Sequence, residues 1–198
     1  MSATVTPSPV PQAPGPRHWT RDEFYRLAEL GFFRGERVEL VNGMIRTMSP
    51  QNLPHQTALL LALDLLRAAF GPGCTVRPQL PLDVSPTSSP EPDLAVVRGS
   101  PRSLTATPTT ALLVVEVADT SLADDRGDKA AAYAAAGVPD YWIVNLIDRT
   151  LEVYRVPRLD AASPSGWSYT DVRTFTPGRS VNPLAAPGVS VAVDDLLP

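Results

Sequence analysis

The alternation and helical spacing of apolar side chains divide the chain into a readable series of elements. Thr20-Arg21-Asp22-Glu23 places a hydroxyl at a helix N-cap and a carboxylate three residues on, and it opens an amphipathic stretch with Phe24, Leu27, Ala28 and Leu30 ahead of Gly31. This predicts a short first helix. Residues 37–48 alternate on either side of Asn42-Gly43, a dipeptide suited to the positive φ angles of a two-residue hairpin turn. Residues 54–70 are rich in Leu and Ala, lack a β-branched run after Thr57, and stop at Gly71-Pro72-Gly73, which predicts a second, largely buried helix.

Strand patterns follow at 75–84, 93–98 and 111–117, separated by loops rich in Pro, Ser and Thr. Leu112-Leu113-Val114-Val115 is continuously apolar, as in a strand covered on both faces. Residues 124–136 are rich in Ala and free of β-branched side chains, so they read as a helix with Gly137 as its stop. Residues 140–146 and 150–156 form a further hairpin pattern, and 167–175 another strand. The order predicts an α/β or α+β architecture, a sheet flanked by helices. Residues 1–16 hold five prolines and no charged side chain, and read as an extended, disordered tail ahead of a single domain at 17–198.

Composition narrows the picture. With 43% apolar and 19% charged residues in 198, the chain is globular in balance. The longest apolar run, 58–70, is interrupted by Asp64 and Arg67 and is too short to span a bilayer. There is no basic flank and apolar core of a secretory signal, and a lone Cys74 excludes an internal disulfide; a cytoplasmic protein is expected. A net charge of −4 excludes coating of nucleic acid by an overall positive field, so any such contact is local. The 17 basic residues include one lysine, Lys129, which suggests a position where a compact ammonium is wanted rather than a guanidinium fork.

Candidate chemistry lies in acids set among apolar residues. Glu116 sits within Leu-Leu-Val-Val-Glu-Val-Ala, and burying an unpaired carboxylate costs several kcal/mol, so it requires a cation, a metal or strong hydrogen bonds. Asp93 opens a comparable strand after Glu91-Pro92, and Glu39 lies within the first hairpin. Two converging carboxylates with room for water suit Mg²⁺ or Mn²⁺ rather than zinc, whose Cys and His partners are nearly absent. Lys129 and Tyr133 share a helical face and are positioned to aim at the same acids. The chemistry this suggests is metal-assisted phosphodiester hydrolysis. Structural readings stand beside it. Asp93 is consistent with a turn cap, Glu116 with a partner arginine, Lys129 with a surface position, and Tyr133 and Trp142 with core packing. Glu39 is consistent with the solvent face of its hairpin, and His55 with a hydrogen-bonded structural role.

Taken in order, Val38-Glu39-Leu40-Val41-Asn42-Gly43, Met48-Ser49-Pro50 with His55, Glu91-Pro92-Asp93-Leu94, Val115-Glu116-Val117-Ala118-Asp119, Asp125-Arg126-Gly127-Asp128-Lys129 with Tyr133, and Ala136 to Val144 resemble the Uma family of restriction-type endonucleases, placed in the PD-(D/E)XK nuclease superfamily. The resemblance covers about residues 20–196. It implies a restriction-endonuclease-like core, a mixed central sheet between helices, to which the patterning above adds N- and C-terminal β-hairpins. It further implies Asp93 and Glu116 as ligands of Mg²⁺ or Mn²⁺, Glu39 as an accessory acid, and DNA as substrate. The superfamily pattern places a lysine two residues after the second acid, where this chain has Ala118; the resemblance moves that role to the following helix, where Lys129 is the one candidate. Gln79 and Asp83, on the strand before Asp93, are further candidates to face the site. Two other functions remain open: a nuclease fold kept for nucleic-acid binding or assembly, favoured by Ala118, and a hydrolase of another phosphate ester. The hairpin edges at 150–175 offer a surface for a homodimer.

Overall fold

In a computed structural model that describes residues 15–163 and 166–198, six strands form a mixed sheet in which each strand neighbours the next in sequence. The strands are β3 (Cys74–Pro78), β4 (Leu94–Arg98), β5 (Leu113–Ala118), β6 (Asp140–Asn145), β7 (Thr150–Leu159) and β8 (Trp167–Phe175). Only β5 and β6 run parallel; the other neighbours are antiparallel. That parallel pair needs a crossover, supplied by α3 (Leu122–Asp124), a π-helical turn (Asp125–Lys129) and α4 (Ala130–Ala135). The predicted helix at 124–136 is therefore present but interrupted. The predicted mixed sheet with flanking helices is observed, and the disordered reading of 1–16 falls outside the described residues except at Gly15 and Pro16.

Side-chain alternation on β5 separates two cores. Leu113, Val115 and Val117 face the cluster built on α2 (Leu53–Phe70), with Leu66, Trp142 and Leu196. Val114 and Ala118 face a second cluster with Ala130, Tyr133, Ala134 and Tyr141, under α4. Glu116 falls between Val114 and Ala118, so the period-two rule alone sends its carboxylate toward the helix that carries Lys129. Trp142 is fully buried, as expected. The second helix is less buried than its composition predicts: Leu59, Leu63 and Leu66 face the core, while Leu53 and Leu60 are exposed.

Strand boundaries shift for identifiable reasons. The strand expected over 75–84 ends at Pro78, because Gln79 adopts φ 49° and turns the chain away. The strand expected over 150–156 runs on to Leu159. It does so through Pro157, whose missing N–H is tolerated because β6 pairs β7 only as far as Arg155 and leaves that edge free.

Ahead of the sheet, α1 (Arg21–Glu29) starts at Thr20 with the expected reciprocal cap, Glu23 N–H to the Thr20 hydroxyl and Thr20 N–H to the Glu23 carboxylate. β1 (Val38–Val41) and β2 (Met44–Thr47) form a separate hairpin, joined to the loop before β4 by a backbone bridge between Leu40 and Ser89. Asn42 and Gly43 have φ 51° and 76°, and a Cβ on Gly43 would lie 2.7 Å from the Cβ of His18. Gly43→Ala is accordingly expected to lower stability by about 1–2 kcal/mol, read from the shift in the urea midpoint; an unchanged midpoint would show that the turn does not limit the hairpin. Among the described residues no helix is long and apolar enough to cross a membrane.

Candidate active site

Four acids and one lysine converge in a cleft of about 260 Å³ between the β1–β2 hairpin, the N-terminus of α2, the loop before β4, the end of β5 and the π-helical turn. The hairpin brings Glu39, the β4 loop Asp93, β5 Glu116, and the turn Asp125 and Lys129. All five are buried.

Lys129 is the hub. Its Nζ lies 3.1 Å from Glu116 Oε1, 3.3 Å from Glu39 Oε1 and 3.7 Å from Asp125 Oδ1. Burial alone would lower its pKa, but the charges of Glu116, Glu39, Asp125 and Asp93 outweigh burial and raise it, so the ammonium stays charged. Asp125 and Lys129, four apart, lie on one face of the π-helical turn and both point at the site. One extra residue in the turn rotates the preceding segment relative to α4, and such turns recur at functional positions.

Glu116 and Asp93 are locked to each other through the backbone. The Asp93 N–H donates to Glu116 Oε2 at 3.1 Å, and the Val117 N–H donates to Asp93 Oδ2 at 2.9 Å. Tyr133 O–H donates to Glu116 Oε1 at 2.7 Å, as the helical spacing from Lys129 anticipates, and the fully buried phenol is held neutral. Burial pushes the Glu116 carboxyl up to about 8 against the pull of Lys129, with Asp125, Asp93 and Glu39 adding to the rise. Asp93 moves the other way. Burial would raise it, but a hydrogen bond and charge from His55, the Val117 amide and the Gln79 side chain together hold it below its ordinary range.

His55, whose Nε2 is 3.2 Å from Asp93 Oδ2, is thus part of the cluster as a hydrogen-bonded partner. Burial would lower its pKa, and Asp93 reverses this. Gln79 Nε2 donates to Asp93 Oδ1 at 3.2 Å, so this candidate reaches the site even though it lies beyond the end of β3. Asp83 does not. It accepts from Tyr25 and Ser89, each at 2.7 Å, and faces Arg21 at 3.7 Å, tying α1 to the loop before β4. Glu39 corrects the solvent-face alternative: β1 is buried at Glu39, Leu40 and Val41 alike, because the hairpin is covered on both sides where it meets the loop before β4. Its Oε2 accepts from the Glu91 N–H at 3.1 Å.

Asp125 is the member that sequence reasoning passed over. Its Oδ2 accepts from the Ser121 hydroxyl at 2.6 Å, while Oδ1 is buried without a hydrogen bond. Burial raises its pKa to about 6, opposed by Lys129 and Ser121. The available signal was its position four residues before the chain's one lysine. Ala118, where the superfamily pattern has lysine, is fully buried in the apolar cluster under α4, and the ammonium enters from the helix instead.

A mixed sheet crossed by a helix that delivers a lysine to paired carboxylates defines a nuclease-like α+β protein. The Uma2 family profile, described as "Putative restriction endonuclease", matches residues 21–194, and the chain belongs to that family. Among solved structures, the chain is similar to a protein from Anabaena variabilis described as a "putative nuclease belonging to DUF820", with a TM-score of 0.69 and 16% identity over 89% of this chain and 96% of that one. At that identity the likeness is one of fold. No curated protein sequence matches the chain.

Proposed function

We propose that the chain is a divalent-metal-dependent endonuclease that hydrolyses DNA phosphodiester bonds, with Asp93 and Glu116 as ligands of Mg²⁺ or Mn²⁺ and with Glu39, Lys129 and Tyr133 as the other working side chains. The observation that carries this reading is the placement of Lys129, the chain's one lysine, 3.1 Å from Glu116 and 3.3 Å from Glu39.

The donor set fits a hard cation. Its ligands are carboxylate oxygens, the acids outnumber the single ammonium, and Asp125, Asp93 and Glu39 add to the rise that burial gives the Glu116 carboxyl. The described residues hold no group of three or more His, Cys, Asp or Glu set to hold a metal ion by themselves, so water and phosphate oxygens would have to complete the coordination. When bound, such an ion would polarise the scissile phosphate and activate a water.

The chain's own groups divide the remaining work. Gln79 and His55 orient Asp93, and the Tyr133 hydroxyl fixes Glu116. Lys129, charged at neutral pH, is placed to hold the attacking water or a phosphate oxygen and to offset the charge that grows in the transition state. Glu39 keeps Lys129 in place and supplies a further acid beside it. DNA contact is local, at the arginines of the cleft rim, Arg37 and Arg46.

A second reading, a nuclease fold kept as a nucleic-acid-binding or assembly module, is favoured by the fact that both oxygens of Asp93 and of Glu116 already accept protein hydrogen bonds. One set of samples separates the two. Mg²⁺ and Mn²⁺ binding is measured by calorimetry on the wild type, Asp93→Ala and Glu116→Ala, followed by plasmid cleavage with Lys129→Ala added. Endonuclease function requires binding lost in both acid variants and cleavage lost in all three. A wild type that binds neither ion at millimolar concentration, even with DNA present, would overturn the proposal in favour of the module.

A further inference from the structure

β8 is the last strand of the sheet. It pairs with β7 along one edge, and no strand among the described residues pairs with the other. Nine residues make a long open edge, and proteins usually blunt such an edge with like charges, proline or a bulge, because it is a template for another strand. Between Tyr169 and Phe175, β8 has neither proline nor glycine, and it carries one acid and one base.

The order of those residues is self-complementary. Tyr169-Thr170-Asp171-Val172-Arg173-Thr174-Phe175 has the same chemical character from either end: aromatic, threonine, charge, valine, opposite charge, threonine, aromatic. In an antiparallel pair of identical strands related by a twofold axis normal to the sheet, facing residues point to the same side, so the axis must pass through a residue. An axis through Val172 sets Val172 against itself, Thr170 against Thr174 of the second copy, and Asp171 against Arg173 in both directions. Moving it to Asp171 or to Arg173 sets two like charges against each other. Opposite charges and paired threonines directly across a ladder are favourable, and like charges are unfavourable.

The side chains are available for this. Val172 is 49% exposed, the Arg173 side chain is 67% exposed, and Thr170 and Thr174 are exposed. Arg173 holds Asp171 of its own strand through Nε and one terminal nitrogen, at 2.8 and 3.1 Å, which leaves the second terminal nitrogen free in this pairing for the acid across the axis. Neither residue belongs to the carboxylate cluster, so the inference is independent of the nuclease reading.

We propose that β8 pairs antiparallel with β8 of a second copy of this chain, about a twofold axis through Val172, joining two sheets into one. Sedimentation of the wild type from low to high micromolar concentration is expected to show a monomer–dimer equilibrium. Arg173→Asp, which sets acid against acid twice, weakens dimerisation by at least about tenfold, and the exchanged pair Asp171→Arg with Arg173→Asp restores it. Circular dichroism on each variant confirms that the exposed substitutions leave the fold intact. A wild type that is monomeric throughout would overturn the proposal. So would a dimer indifferent to both Arg173→Asp and Val172→Lys, or a charge exchange that fails to restore what the single variant lost.

Discussion

Lys129→Met is expected to destabilise the protein by about 3–5 kcal/mol at pH 7 and to reduce DNA cleavage by at least about 100-fold. Methionine fills most of the lysine's volume and removes its charge, leaving Glu116, Glu39 and Asp125 buried without the ammonium that lies within 3.7 Å of each. Removing one partner of a buried ion pair costs more than the pair itself contributes, because the remaining charge keeps its desolvation penalty. The chain has one escape, which is to take up a proton. Lys129→Met is therefore expected to bind an additional proton at neutral pH, seen as a buffer-dependent heat of unfolding, and to recover much of its stability near pH 5. The double variant Lys129→Met with Asp125→Asn, which removes an acid still ionised at pH 7, should regain stability there but not cleavage, which separates charge compensation from catalysis. A urea midpoint for Lys129→Met equal to that of the wild type at pH 7 would mean that the cluster is open enough to water to need no counter-charge.

Why so much of this was legible in the chain, and some was not, follows from the range over which each signal acts. The α1 cap, the Asn42-Gly43 turn and the apolar β5 strand are local, and each folds as read. Glu116 was legible because a charge inside an apolar strand conflicts with its neighbours, and such a conflict is tolerated only where something else resolves it. Tyr133 followed from its helical offset to Lys129. Asp125 was obscured although its offset from Lys129 is an ordinary helical one, because it lies in the polar run Asp124-Asp125-Arg126-Gly127-Asp128, where no apolar neighbour marks one acid as buried. Glu39 was ambiguous because a hairpin's alternation does not say which face another segment will cover. That was decided by the pairing of Leu40 with Ser89, 49 positions away in sequence. The same limit applies at Pro78 and Gln79, where a positive φ ends a strand that propensity alone would continue.

The protein in the presence of a chelator is expected to be about 1–3 kcal/mol more stable near pH 5 than at pH 8, the reverse of the usual loss on acidification. The sign comes from Asp125, which burial raises from 3.8 to about 6, and from Glu116, raised from 4.5 to about 8. A raised carboxyl binds its proton more tightly folded than unfolded. Its contribution is therefore fully present below the unfolded value and is lost as pH rises through the folded one, over a window of roughly pH 4 to 8. His55, raised by Asp93 against the effect of burial, acts in the same direction. Opposing them are Asp93 and Glu152. Glu152 is also held low, despite burial, by a two-pronged hydrogen bond from Arg126 at 2.6 and 3.0 Å and by Asn145 and Tyr154. The stability those two contribute is present above their unfolded values and is lost only as pH falls below about 4. Urea midpoints measured between pH 4 and 8.5 should thus pass through a maximum on the acid side of neutrality. Millimolar Mg²⁺ or Mn²⁺ should lift the alkaline limb selectively, because a cation that binds the ionised carboxylates stabilises only the folded form that carries them. A chelated protein whose stability climbs steadily to pH 8 would show that the carboxylates are already ionised at neutrality, with Lys129 and the surrounding amides sufficient to hold them.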